Sequence, residues 1–277
     1  MSPLALPDGR TIPGLGLGTW HMGERSRDQE AELEALRCGL DLGINLIDTA
    51  EMYADGGAER VVGRAIAGRR DSVFLVSKVY PHNASARGAI AACERSLNRL
   101  ATYHIDLYLL HWRGSIPLHE TVEAFERLVR DGKIGGWGVS NFDIQDLHEI
   151  DSQPAGPQCM LNQVYYSVSQ RGVEHDLLPW MREHSMPLMA YCPLDEGALA
   201  GDALLTQIGQ HHGASAAQVA IAWLLSRPGV VPIPKAGRRE HVQELARANE
   251  LNLTAKDLQE IDQRFPPPSG RAPLMMV

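Results

Sequence analysis

Three apolar runs in this sequence stop at side chains that trade protons. INLID, residues 44–48, ends in Asp48, with Tyr53 five residues further on; VFLVSK ends at Lys78; IDLYLLH ends at His111. Runs of this length, bounded so sharply, read as buried strands whose ends open into a site. An acid, a phenol, an amine and an imidazole would then sit at or just past separate strand ends. Their chemistry fits together. A free tyrosine has a pKa near 10, too high to share its proton readily at neutral pH. A buried ammonium beside it favours the phenolate and is expected to lower that pKa. A shift of ~3 units takes about 4 kcal/mol of differential interaction. A lysine alone in such a place would lose its proton, and Asp48 keeps it charged by pairing with it. His111 can hydrogen-bond a carbonyl oxygen and orient it. Together these residues make a general acid aimed at a C=O that is becoming an alkoxide. No side chain donates hydride, so the reaction calls for a nicotinamide.

The second half of the chain adds binding groups. Ser140 and Asn141 follow the run WGV, Gln163 ends another apolar run, and Tyr191 ends a third. Two amides and a hydroxyl can read a carboxamide, and an aromatic ring can stack on a pyridine. Asn141 also suits a helix cap in SNFD. In IPKAGRREH, Lys235, Arg238, Arg239 and His241 form the only dense basic cluster beside a helix N-terminus, which itself favours anions. In a protein of net charge −8 that cluster suits a phosphate, with a solvated charged turn as the plainer alternative.

These residues need elements to carry them. Asp8-Gly9 in LALPDGRTI signals a hairpin, placed to plug one end of a barrel. Residues 15–19 read as a first strand, and a helix capped by Asp28 and stopped by Gly43 follows. Strands are expected at 44–48, 73–78, 105–111, 135–139, 159–163, 187–192 and 230–233. Helices are expected between and after them at 58–67, 85–100, 118–130, 143–150, 174–184, 216–226 and 240–248. The stretch 193–213 is a longer connection with an extra helical patch, 255–264 an added C-terminal helix, and FPPPSGRAPLMMV an irregular tail. Eight strand–helix units imply parallel pairing and closure into a (β/α)8 TIM barrel, a single domain over residues 1–277 with no linker. An open doubly wound sheet would want GxGxxG leading into a helix, and GLGLGTW leads into none.

Composition narrows the class. Hydrophobic residues at 44% and charged residues at 22% are ordinary for a globular protein. The negative charge argues against a general nucleic-acid binder. No apolar run reaches the ~20 residues that span a membrane. MSPLALPDGR has neither a basic nor a long apolar region of the kind that directs export, so a cytoplasmic location is expected. Cys38, Cys93, Cys159 and Cys192 show no CxxC and no metal-like spacing with histidine, and they read as small buried residues in a reducing compartment. No metal site is expected.

DTAEMYADGGAE, LVSKVYPHN, DLYLLHWRG, GKIGGWGVSNFD, NQVYYS, YCPL and IPKAG occur in this order over almost the whole chain. In them the sequence resembles the aldo-keto reductases. The short loops and the HWRG and DGGAE variants look most like bacterial members of the methylglyoxal-reductase and 2,5-diketo-D-gluconate-reductase kind. The resemblance implies a monomeric (β/α)8 barrel that uses NADPH without a Rossmann fold. It makes Tyr53 the proton donor, with Asp48 and Lys78 tuning it and His111 orienting the substrate. It puts Thr19, Trp20 and Asp48 at the nicotinamide end, Ser140, Asn141 and Gln163 on the carboxamide, and Tyr191 in the stack. It lays Cys192, Pro193 and Leu194 along the pyrophosphate, pairs Lys235 with the 2′-phosphate and brings Glu244 to the adenine. Trp20 and Trp112 would wall the substrate pocket beside Tyr53 and His111. Ala236 stands where many members have a hydroxyl, His241 where many have arginine, Leu245 where many have asparagine and Cys192 where serine is common. Arg238 or Arg239 would then compensate at the phosphate, with NADH as a second possible donor. The short tail implies that no large specificity loop covers the pocket, and hence a broad specificity for small carbonyls. The function implied is NADPH-dependent reduction of aldehydes, methylglyoxal and other dicarbonyls included. The alternative is a non-catalytic NADPH-binding sensor or regulatory subunit, which would have no use for a charged lysine beside the tyrosine. A metal-dependent hydrolase is a third reading, against which His111 stands nearly alone.

Overall fold

The computed structural model describes residues 2–277. Strands β1 (Leu4–Ala5) and β2 (Thr11–Ile12) form a short antiparallel hairpin around Asp8-Gly9. Gly9 takes φ +86°, which the turn requires and which glycine adopts without steric cost. Eight strands follow, each parallel to its neighbour: β3 (Gly16–Gly18), β4 (Leu46–Asp48), β5 (Phe74–Val79), β6 (Leu107–Leu110), β7 (Trp137–Ser140), β8 (Cys159–Tyr165), β9 (Leu188–Tyr191) and β10 (Val230–Pro232). Their spatial order is their chain order. The two outer strands meet through a parallel bridge from Gly18 to Lys235 and a bond from the Gly18 amide to the Pro234 carbonyl, 3.0 Å. The sheet is therefore a (β/α)8 barrel.

The strands are apolar on both faces because both are covered. Leu46, Val76, Leu107, Leu109, Leu161, Met189 and Val231 fill the barrel interior, and Leu6 and Ile12 of the hairpin region pack into the same cluster. The hairpin thus closes one end, and ligands are left the other. Residues pointing outward, such as Leu75, Tyr108 and Val139, meet the helices.

The helices are α1 (Gln29–Asp41), α2 (Gly57–Ile66), α3 (Gly88–Arg99), α4 (Leu118–Arg130), α5 (Ile144–Asp151), α6 (Leu177–Glu183), α7 (Ala203–His211), α8 (Ala216–Leu225), α9 (Arg239–Arg247) and α10 (Ala255–Arg264). Helix α4 shows why they form. Leu118, Val122, Phe125 and Leu128 recur at helical spacing on its buried face, and each such side chain contributes about 1.5–3 kcal/mol by leaving water. Capping boxes start α5 at Asp143, α8 at Ser215 and α10 at Thr254, satisfying amides that the first turn leaves free.

Two local expectations fail for physical reasons. Asp28 does not cap α1 with its side chain, because its own backbone is already helical (φ −95°, ψ −16°) and the oxygen cannot reach back. The helix expected at 174–184 divides into a 3-10 turn, Gly172–Glu174, and α6. Glu174 is held by Arg171 (3.0 and 2.8 Å) and by the Tyr166 hydroxyl (2.6 Å), so this acid is a tether to its surroundings and not the start of a longer helix. Among the described residues no helix is long and apolar enough to cross a membrane.

Candidate active site

Asp48 is the last residue of β4, and the chain leaves the barrel there. Lys78 lies in β5 between Ser77 and Val79; strand alternation turns those two outward and Lys78 inward, where it is fully buried. Its Nζ donates to both Asp48 oxygens at 2.8 Å, to the Thr49 carbonyl at 2.9 Å and to the Tyr53 hydroxyl at 3.3 Å. An ammonium has three donors. Four acceptors surround them, so at least one N–H is shared, and one contact is made with the phenol. His111 follows β6, its ring centroid 5.6 Å from that of Tyr53 in an edge-on arrangement. The four groups that the sequence distributes over some sixty residues are therefore one cluster.

Burial pulls the Asp48 carboxyl up and the Lys78 ammonium down, and each partner opposes the other's loss of charge. The bidentate 2.8 Å contact holds them as an ion pair. Tyr53 departs from the sequence expectation. Its phenol is held well above the ordinary range, first by burial and then by the Asp48 carboxylate. The reason is that burial disfavours the charged phenolate, and the Asp48 carboxylate beside it repels the same charge. Tyr53 is thus firmly protonated at neutral pH. His111 is held well below the usual imidazole range, first by burial and then by the Lys78 charge, and is neutral. Its Nδ1 is buried without a partner. An orphaned N–H is costlier than an orphaned acceptor, so the proton is assigned to Nε2 as a donor.

The binding groups tie into the same cluster. Gln163, in β8, donates from Nε2 to Asp48 Oδ1 at 2.8 Å, a contact across the barrel that no sequence pattern announced. Ser140, ending β7, donates to the Gln163 carbonyl at 2.9 Å. Asn141 has φ +58°; its Nδ2 donates to the His111 carbonyl (3.2 Å) and its Oδ1 accepts from the Tyr191 hydroxyl (2.8 Å). Asp143, and not Asn141, caps the following helix. Cys192 follows β9 at φ +47°, and burial pushes its thiol up to about 12, which excludes a thiolate nucleophile at neutral pH.

These residues line a pocket of about 560 Å³ at the end of the barrel away from the hairpin. Thr19, Trp20, Asp48, Tyr53, His111, Trp112, Ser140, Asn141, Gln163, Tyr191, Cys192, Pro193, Leu194 and Lys235 all border it. Five expected cofactor residues do not. Ala236 is buried beneath the surface, Arg239 begins α9, Arg238 donates to His241 at 3.1 Å, and Glu244 accepts from the Ser215 hydroxyl. A helix N-terminus and its neighbours lie near the pocket's rim without lining it. Met52, His21, Glu196 and Gly197 also border the pocket with no signal in the sequence, and the tail, irregular as expected, reaches it too. Met276 and Val277 form part of the pocket wall, and Arg271 anchors the tail to Asp143 (3.3 Å) and Asp176 (3.4 Å). An irregular segment gives no periodicity from which to read its course. Among the described residues no group of three or more His, Cys, Asp or Glu is placed to hold a metal.

A barrel whose open end joins a protonated tyrosine, a lysine–aspartate pair and a neutral imidazole to paired amides is an oxidoreductase site for carbonyls. The chain belongs to the aldo/keto reductase family, whose model matches residues 14–264. It is 50% identical over 272 residues to methylglyoxal reductase YeaE of Escherichia coli, covering 96% of each chain. It is 33% identical to the glyoxal reductase of Bacillus subtilis over 93% of this chain and 90% of that one. An aldo/keto reductase from Klebsiella pneumoniae, crystallised with NADP and acetate, superposes with a TM-score of 0.97 at 48% identity and covers 99% of both chains.

Proposed function

We propose that this protein reduces small aldehydes, methylglyoxal and related dicarbonyls among them, to alcohols with NADPH. The observation that carries the reading is the Lys78 ammonium bonded at once to Asp48 and to Tyr53, beside a neutral His111. The cofactor fits the groups present. Ser140, Asn141 and Gln163 offer a donor and acceptor set for a carboxamide, Tyr191 a ring to stack on, and Lys235 a cation at the far end for a phosphate. A bound nicotinamide supplies the hydride.

The protein's own residues supply the rest. His111 Nε2–H and the Tyr53 hydroxyl hold the carbonyl oxygen. As hydride reaches the carbon and negative charge builds on oxygen, Tyr53 gives up its proton, and the alcohol O–H forms as the phenol O–H breaks. The phenolate is left 3.3 Å from Lys78 Nζ, whose contact with that oxygen strengthens as the negative charge develops there. Trp20, Met52 and Trp112 offer apolar walls that suit a small carbonyl and limit water. We further read the chain as one domain, acting as a cytoplasmic monomer, with NADH as a weaker donor.

The test is absorbance at the reduced-nicotinamide band, with NADPH or NADH and with methylglyoxal or an aromatic aldehyde. Oxidation of NADPH with either aldehyde supports the reading and the ratios rank cofactor and substrate. NADPH binding with no turnover on any pair overturns it.

A further inference from the structure

Tyr53 stands at the start of an improbable piece of backbone. The next three residues, Ala54 (φ +50°), Asp55 (φ +49°) and Gly56 (φ +77°), are all left-handed, and α2 begins at Gly57. Only Gly56 adopts this conformation without steric cost; for Ala54 and Asp55 each costs roughly 1–2 kcal/mol, and such backbone persists only where its surroundings hold it. The surroundings here are specific. Glu59, in the first turn of α2, is fully buried. Its carboxylate accepts from Arg99 Nε at 2.5 Å and from the Ser77 hydroxyl at 2.7 Å. Arg99 ends α3, and its Nη2 also donates to Ser96 Oγ at 3.2 Å. The arginine side chain lies directly on Gly56: a Cβ there would stand 2.2 Å from Arg99 Cδ and 2.3 Å from Nε. On the other side of the turn the backbone of Gly23 presses on Gly57, where a Cβ built on Gly23 would stand 2.4 Å from the Gly57 carbonyl carbon.

Two links thus run from this pair to the reaction. Through Gly56 it braces the turn that carries Tyr53. Through Ser77 it is tied to the residue before Lys78, on the opposite face of β5. A carboxylate with no exposure at all is costly to bury unless it is fully paired, and Glu59 is paired with Arg99, which packs on the turn carrying the phenol, and with Ser77, beside the ammonium. We propose that Arg99, acting through Glu59, is a positioning residue for proton transfer: it sets the distance and angle between the Tyr53 hydroxyl and Lys78 Nζ. The proposal rests on the reading of Tyr53 as proton donor. A misplacement of about 1 Å in such a pair can cost on the order of a hundredfold in rate.

The experiment compares Arg99→Met with wild type. Methionine keeps an unbranched apolar stem over Gly56 and removes the guanidinium. The kcat for methylglyoxal is expected to fall roughly 10- to 100-fold, with the Kd for NADPH within about twofold, because the cofactor groups come mainly from β7 to β10 and the loops after them. The solvent deuterium isotope effect on the single-turnover rate is expected to rise, since proton transfer is the step disturbed, and Arg99→Lys is expected to recover part of the rate. An unchanged kcat overturns the proposal. So does a parallel loss of kcat and NADPH affinity, or a loss of kcat with no change in isotope effect, since either marks a general structural role. If Arg99→Met does not fold, Ser77→Ala reads the same brace from the strand side: a fall in kcat with a raised isotope effect and unchanged Kd supports it, and an unchanged kcat overturns it. Tyr53→Phe, measured alongside, separates the two claims. Turnover retained in that variant removes the proton-donor reading, whatever Arg99 does.

Discussion

The two ends of the pocket are built on different principles. At the inner end Asp48, Lys78 and Gln163 are buried, and the links among them run from strand to strand. At the outer end Lys235 is exposed, Arg238 bonds to its own neighbour His241, and Glu244 is tied to Ser215 away from the pocket. The inner end is preorganised in a medium where each contact is strong, and nothing there can move alone. The outer end consists of long charged side chains in water, where a single contact is weak until a ligand orders it. Chemistry is therefore fixed by the scaffold, and cofactor preference by a few adaptable groups.

The largest effect that would break this contrast is at Tyr53. Tyr53→Phe is expected to lower kcat by roughly 10²–10⁴, the usual worth of a positioned general acid, and to leave NADPH affinity intact. Lost NADPH affinity, by titration of cofactor fluorescence, would make the two ends one unit. Next is Lys78→Met. It leaves the Asp48 carboxylate buried without its partner, so it is expected to cost about 3–5 kcal/mol of stability as well as turnover. A denaturant midpoint that does not move would show that the pair is not structural. Lys235→Ala is smaller, expected to weaken NADPH by ~1.5–3 kcal/mol and NADH hardly at all, and to leave the denaturant midpoint unchanged. Equal losses for both cofactors would take the phosphate away from Lys235.

Two gentler tests sharpen the picture. His111 is buried neutral, with its folded-state pKa depressed, so the unfolded chain binds the proton first as pH falls. Stability contributed by the neutral ring is present above the unfolded pKa of about 6.5 and is lost as pH drops below it. His111→Asn is expected to flatten that part of the stability–pH curve, and an unchanged slope between pH 7 and 5 would contradict the assignment. Glu244→Gln should alter NADPH affinity by less than about twofold, because Ser215 already holds that carboxylate. A tenfold loss would show that Glu244 turns into the pocket with the cofactor.

The difference between the ends also explains what could be read in advance. Asp48, Lys78 and His111 are polar residues interrupting apolar strands, and burial makes such interruptions conspicuous. Strand–helix alternation gave the barrel, since parallel strands buried on both faces are continuous apolar runs. The phenol is less acidic than the lysine beside it suggests, because the sequence pairs Lys78 with Asp48 but shows neither how deeply Tyr53 is buried nor that the same carboxylate faces the phenol. Where Arg238, Arg239, His241 and Glu244 point relative to the pocket is not legible, because a charged residue near a helix start has many rotamers and nothing in the sequence selects one. Met276 and Val277 lay in a segment with no period to follow.

Among the described residues the barrel's outer strands are hydrogen-bonded at Gly18, through one bridge to Lys235 and one bond to Pro234. Thr19 and Trp20 stand on one side of this seam, and Pro234 and Lys235 on the other, and all four border the pocket. A cofactor seated along them stitches the cylinder shut where its own hydrogen bonding is thinnest. Saturation at a hundred times the dissociation constant adds about 2.7 kcal/mol of stability. The Gly18 amide, on the seam itself, is where slowed hydrogen exchange should register that gain most strongly.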